Sequence, residues 1–468
     1  MKISSYTKFI GIVCGVLTVL SLAGAVALYL QGPRVRAVRY ERNPSTAAHT
    51  YSSLITIQFN RILQQQDYTE QISVTPALDF DATTSGSTII LTLQENLRSG
   101  TTYNFSVGPY IIDSSNNQMS GTYELQIETA PTRFAYIERN YGPAAASSLF
   151  TETDADDHIV LSSVDNPTER EILFSDPAIS SFDANAQYAL VATAPSSFAN
   201  KLYYIDSASG SVTPVELAVA GRIGNVAVHD QAPIGLYTLT PDLNTVGDEV
   251  FDEFANRIYG IDFSSGETWV LTNQDGVSLQ AFDLDYSGSS QAVLLQDPQL
   301  DFYIASVFND FDPAPIGSFT QSYGYSDDLT DIVFRDFDDI VVLDIAAGTT
   351  QSITEASTAR LDSVQISNNM IFAQQSASAL TSGSSSLATI DQASITDIWN
   401  DQFSGGRLNT ASVSFDARHA ALEIRPESCT LDRVSPNSRC QEAYTILLNT
   451  VTQDEIDIIT GFDVVWLP

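Results

Sequence analysis

An apolar strand closing on Asp, followed by small residues and then Gly, recurs through the last two thirds of the chain and restricts its fold more than any other feature. The unit is clearest as YYIDSASGS around Asp206, YGIDFSSGE around Asp262 and VVLDIAAGT around Asp344. Weaker copies are LSSVDNPTE at Asp165, LATIDQAS at Asp391 and ILLNTVTQ at Asn449. The intervals from Asp165 are 41, 56, 82, 47 and 58 residues, and the 82 divides naturally in two with a degenerate copy near Asp301. A second element follows in phase, about twenty residues later: SFDANAQYALVAT from Ser181, AFDLDYSGSSQAVLL from Ala281, SVQISNNMIFAQQ from Ser363 and SVSFDARHAALEI from Ser412, each reading as strand, polar turn, strand. A repeat of about 40 to 50 residues with four short strands cannot bury both its faces alone, so it stacks radially on its neighbours as a propeller blade. Residues 133–468 are therefore expected to form an all-β propeller of six to eight blades, seven by this count. The closing GFDVVWLP and the opening RFAYIER, laid end to end, recreate one blade, so the last strand is expected to pair with the first and leave no exposed edge.

Residues 31–130 read differently. SLITIQFNRIL, QISVTPALDF, STIILTLQENL, TYNFSVGPYIID and TYELQIET are short strands with turn signals about every ten residues. Ile55, Ile57 and Phe59 alternate with Leu54, Thr56 and Gln58, giving one face for a core and one for water, as in an antiparallel β-sandwich. ITIQFN, the run Leu97-Arg98-Ser99-Gly100-Thr101-Thr102-Tyr103, IIDSSNNQM and the closing LQIET together resemble the bacterial Ig-like domains of S-layer and other envelope proteins. That resemblance implies a spacer or binding module. The blades of 133–468 resemble those of TolB-type propellers and of the propeller halves of prolyl-oligopeptidase relatives. The usual Ser-Pro-Asp-Gly turn occurs only in altered forms such as Asp183-Ala184-Asn185 and Asp285-Tyr286-Ser287-Gly288.

Phe9 to Leu30 carry no charge, and a helix of that length reaches roughly 33 Å, enough to cross a bilayer core. The run is read as a retained transmembrane helix behind a cytoplasmic stub of residues 1–8, with the bulk of the chain extracytoplasmic. Cleavage after Ala25-Val26-Ala27 is the alternative, and lipidation at Cys14 fits least, because Gly11-Ile12-Val13 does not make a lipobox. Cys429 and Cys440 bracket a turn-rich segment, and one close pair in an exported chain is most simply a disulfide.

From Gln31 onward 18 Arg and one Lys stand against 39 Asp and 18 Glu, a balance of −38. Such a surface repels nucleic acid and anionic membranes. Turns account for much of the Asp, but not for the scarcity of lysine, which points to a salt-rich or cation-rich habitat.

No Gly-x-Ser-x-Gly, His-Glu-x-x-His or phosphate-binding glycine loop occurs, and His49, His158, His229 and His419 stand singly. Catalysis is not expected, although lone carboxylates of the glycosidase kind leave no pattern to find. Asp283-x-Asp285-x-Ser287-Gly288 imitates the first half of a calcium loop, but Leu294 stands where a bidentate Glu belongs, so a hairpin turn is preferred and no cofactor is expected. Asp154, Asp156, Asp157 and His158 read as a solvated loop. Two longer connections, 241–257 and 302–331, are expected to emerge side by side as one acidic, aromatic-lined patch. Phe311, Tyr323 and Tyr325 would be its apolar anchors and Asp310 and Asp312 its polar ones, suited to a protein or glycan at the cell surface. The function expected is a membrane-anchored binding protein of the cell envelope. A propeller enzyme acting on surface polysaccharide and a structural surface-layer component are the alternatives.

Overall fold

The computed structural model describes Thr18, Ser21 and residues 32–43, 52–93, 97–139, 156–194, 200–229, 232–242, 246–255, 257–272, 283–286, 292–296, 301–306, 314–319, 321–325, 331–336, 339–345, 347–354, 360–367, 370–376, 385–391, 394–401, 406–426, 440 and 442–467. They fall into two compact units that meet in sequence between Ala130 and Pro131. No helix among them is long and apolar enough to cross a membrane. Apart from Thr18 and Ser21, the run from Phe9 to Leu30 lies outside the described residues.

The first unit is a sandwich of two antiparallel sheets. One holds Val35–Asn43, Ser52–Phe59, Thr88–Leu93 and Phe80–Ser85 in that order, and the other Ile72–Thr75, Thr102–Val107 and Tyr123–Glu128. Ile55, Ile57 and Phe59 face the core with Ile89, Leu91, Tyr103 and Phe105, as the alternation requires. The two family motifs are turn-forming devices. In LRSGTTY, the Tyr103 hydroxyl accepts the Arg98 N–H at 2.9 Å while Gly100 takes φ +61°, a left-handed conformation open to glycine. In IIDSSNNQM, the buried Asp113 accepts the N–H groups of Ser115 and Asn117 at 2.9 and 2.8 Å and pairs with Arg61 at 2.8 Å. Burial pushes the Asp113 carboxyl up, but these donors outweigh it and hold the group below the usual carboxylate range.

Among its described residues, the second unit contains seven four-stranded antiparallel sheets. Six are consecutive meanders. The remaining one, here blade 1, takes its first strand from Phe462–Leu467 and its others from Arg133–Glu138, Asp157–Ser163 and Asn166–Asp176. Trp466 lies opposite Phe134 and Val465 opposite Ala135, so the two ends of the repeat region share one sheet. The first strands of blades 2 to 7 are Ile179–Ala184, Gly221–Val228, Asp283–Tyr286, Gln321–Tyr325, Arg360–Ser367 and Gly406–Val413. Around most of the circle each first strand touches the next, which puts these strands at the centre. Blades 4 and 5 meet farther out, where Phe334 packs 4.9 Å from Phe302 and stacks on Phe319 at 4.0 Å.

Each blade is apolar on both faces. In blade 1, Ala135 and Ile137 pack with Ile179 and Phe182 of blade 2, while Phe134, Tyr136 and Trp466 pack with Ala421 and Leu447 of blade 7. Period-two alternation thus serves two neighbours at once, which is why one blade alone could not persist.

The recurring Asp closes the third strand of its blade. Asp206, Asp262 and Asp344 accept N–H groups of their own turns, and Gly210, Gly266 and Gly348 follow with φ of +68°, +74° and +62°. The degenerate copy is displaced from its expected place: Asp301 opens the third strand of blade 4 and Ser306 ends it.

Candidate functional site

Strand direction sorts the connections onto two faces. Links of two residues join Asp176 to Ile179, Ser318 to Gln321 and Ile459 to Phe462. Such a link reaches only about 11 Å, too short to run back along a strand of roughly 20 Å, so every first strand starts on the face where the preceding fourth strand ends. This connection face therefore also carries the loops between second and third strands. The opposite hairpin face carries the turns joining first to second and third to fourth strands.

The two faces are unlike. On the hairpin face the longest segment between strands is 307–313, and that face carries the Asp-x-x-x-Gly turns. On the connection face, 139–156, 242–256 and 427–443 join strands of blades 1, 3 and 7, 271–282 links blades 3 and 4, and the shorter 377–385 and 194–200 belong to blades 6 and 2. The three longest thus belong to blades 7, 1 and 3 and all join strands on one face.

The cations gather there too. Lys201, Arg222, Arg257, Arg360 and Arg407 stand at or next to the start of strands that begin on the connection face, and Arg335 and Arg425 are next to last in strands that end there. Arg133 and Arg418 are at the hairpin face. Carboxylates stand at the same rim, Glu138, Asp176, Asp283, Asp301, Asp336 and Asp339 among them, so these cations sit within an acidic face.

At the base of the 139–156 loop, Arg139 and Asp157 form a buried ion pair between blades 1 and 2. Asp157 is 2% exposed, so it is not part of the solvated loop expected from the sequence. In blade 7, Glu423 is 3% exposed and accepts the Asn409 amide at 2.8 Å and the Thr410 hydroxyl at 3.2 Å. Arg407 and Arg425 lie on the same side of that sheet, nearer the rim, both exposed.

The patch expected from 241–257 and 302–331 is not assembled as one surface. The first leaves and re-enters blade 3 on the connection face, with a short helix Asp248–Phe254 inside it. The second spans two strands of blade 4 and the first strand of blade 5, and its turns 307–313 and 326–330 open on the hairpin face. Asp310, Phe311 and Asp312 lie outside the described residues, and Tyr323 and Tyr325 belong to the first strand of blade 5. Phe319, from the same aromatic set, is packed in the seam between blades 4 and 5. Asp283 and Asp285 are strand residues, opposite Gln296 and Leu294, so the calcium-like spacing falls on a ladder rather than on a loop, and Ser287 lies outside the described residues. Cys440 is buried, and Cys429 lies outside the described residues.

The Gly-Arg starts of two central strands, GRIGNVAV from Gly221 and GRLNTASV from Gly406, were open to detection as a second internal repeat. Only the topology shows that both begin at the same rim.

Residues 33–129 match the family model of the bacterial Ig-like domain. A search of curated proteins finds no match to the chain. Among solved structures, TolB from Acinetobacter baumannii is similar at 12% identity and a TM-score of 0.38, covering 80% of this chain and 81% of that one. The β-propeller domain of the Trilobed protease from Pyrococcus furiosus gives 12% identity and 0.44, over 68% of this chain and 98% of that one. A prolyl endopeptidase gives 14% and 0.46, over 69% of this chain and 48% of its own. The chain carries a bacterial Ig-like domain at residues 33–129, followed by a β-propeller similar to those of TolB and the prolyl endopeptidases.

Proposed function

We propose that the protein is a membrane-anchored, extracytoplasmic binding protein of the cell envelope, and that the connection face over blades 7, 1, 2 and 3 is its recognition surface for a protein or glycan. The observation that carries this reading is that the three longest segments between propeller strands, 139–156, 242–256 and 427–443, all join strands on that face, in blades 1, 3 and 7. Loops on a rigid scaffold are where binding residues collect. Phe9–Leu30 supplies the anchor, and a Cys429–Cys440 disulfide would restrain the 427–443 loop by about 2 to 3 kcal/mol in the chain-entropy picture.

Exchanging 139–156 and 427–443 for short Gly-containing turns should leave the thermal transition of the full chain in place and abolish its retention of envelope proteins or glycans. Retention unchanged by both exchanges would overturn the reading, as would a lattice assembling from the purified chain alone. Protease added to intact cells should remove everything beyond Gly32, and mass spectrometry of the released material should find Cys429 and Cys440 joined.

A further inference from the structure

Arg407 and Arg425 face each other across the first two strands of blade 7, and both are exposed. Like charges in directly opposed positions weaken a sheet. The chain holds 57 acidic residues against 21 basic ones, yet among the described residues no carboxylate pairs with either arginine. The nearest acid on that side of the second strand, Glu423, is buried and bonded to Asn409 and Thr410.

The placement is held by backbone. Gly406, the residue before Arg407, lies opposite Pro426, and a Cβ on it would stand 2.6 Å from the Arg425 carbonyl oxygen, so only glycine lets the strands close at this point. Blade 3 has the same construction. Gly221 lies opposite Pro241, a Cβ there would stand 2.4 Å from the Thr240 carbonyl oxygen, and the exposed Arg222 faces Thr240. In blade 6, Arg360 faces Ser376 at the equivalent register. Blade 7 alone of the three doubles the cation. Leu408 and Ile424, the next opposed pair, are buried, so both arginines project from anchored strands.

A guanidinium is a planar fork matched to carboxylate and phosphate oxygens. Opposed residues in a ladder stand about 5 Å apart, so two such forks converge on one group. We propose that Arg407 and Arg425 form an oxyanion-binding site at the blade 7 rim, taking a carboxylate or phosphate group of the ligand. The site rests on the connection face being the recognition surface, and names the chemistry read there.

The test is calorimetric titration of the full-length chain in non-ionic detergent with inorganic phosphate and with glucuronate, at constant ionic strength. Saturable binding of at least one probe is expected, and the better probe separates a phosphate from a carboxylate source. R407Q/R425Q should weaken it about tenfold or more. R407K/R425K, which keeps the charge but loses the forks, should not restore it, and R133Q, on the hairpin face, should leave it unchanged. The double glutamine variant relieves a like-charge contact, so its thermal transition should be no lower than that of the parent. Absence of saturable binding by either probe, or equal affinity in R407Q/R425Q, would overturn the site. The loop exchanges keep both arginines. Retention surviving those exchanges while R407Q/R425Q abolishes phosphate or glucuronate binding would remove the recognition face and leave the anion site standing. Lost retention with equal probe binding in R407Q/R425Q would do the reverse.

Discussion

Arg139 Nε lies 3.5 Å from Asp157 Oδ2, with the two side chains 4% and 3% exposed, at the point where blade 1 meets the start of blade 2. Asp157 also accepts the Ile179 N–H at 3.0 Å, Arg139 donates to the Ile179 carbonyl, and the guanidinium sits 5.1 Å above the Phe462 ring. One ion pair therefore joins the closing strand, the two strands flanking the 139–156 loop and the next blade.

Removing one partner of this pair strands the other charge in the interior. Arg139→Met is expected to destabilise the propeller by about 3 kcal/mol or more, and Arg139→Met with Asp157→Leu to recover part of that loss. Urea denaturation followed by tryptophan fluorescence measures both. Equal loss in the single and double variants would mean that the charge left behind is not the cause.

Ring closure depends on a short terminal strand. Trp466 is 5% exposed, packs edge-on to Phe134 at 5.7 Å and donates from Nε1 to Ser412 Oγ at 3.1 Å, tying blade 1 to blade 7. Trp466→Ala should cost about 3 to 5 kcal/mol, the range for emptying a large aromatic site. Truncation before Phe462 should do worse, because it leaves blade 1 without its first strand. A truncated chain with the parent's melting temperature would rule out the closure as a source of stability.

Acid should weaken the propeller through His229. This side chain is 4% exposed, its Nδ1 accepts the Ala232 N–H at 3.0 Å, and burial pushes its pKa down to about 4. The fold holds the ring neutral, whereas the unfolded chain takes up a proton below about pH 6.5. Stability from this group is therefore fully present above about pH 6.5 and falls as the pH drops toward 4, by up to about 3 kcal/mol. His229→Gln should flatten that part of the stability profile between pH 7 and 4. An identical slope in the variant would place the acid sensitivity elsewhere.

Much of the architecture was legible in the sequence because local chemistry imposes it. A strand ending in Asp, small residues and Gly favours a turn, and the carbonyls of Asp206, Asp262 and Asp344 each accept the N–H of the glycine four residues on. Repetition at blade length, and the complementary ends around Phe134 and Trp466, then leave little beyond a closed ring. The alternation of Ile55, Ile57 and Phe59 fixes a sandwich face for the same reason, since a strand exposes alternate residues to opposite sides. Which residues share a rim was decided by tertiary structure. Sequence spacing grouped 241–257 with 302–331, but strand direction reverses at each turn, so segments close in sequence open on opposite faces. Arg139 meets Asp157 across a long loop, and Arg407 meets Arg425 only through the register of their hairpin, set by Gly406 against Pro426. Composition determined that the surface is acidic; the ladder decided where the propeller's few cations stand, because hydrogen-bond register, which no local pattern encodes, brings most of those described to one rim.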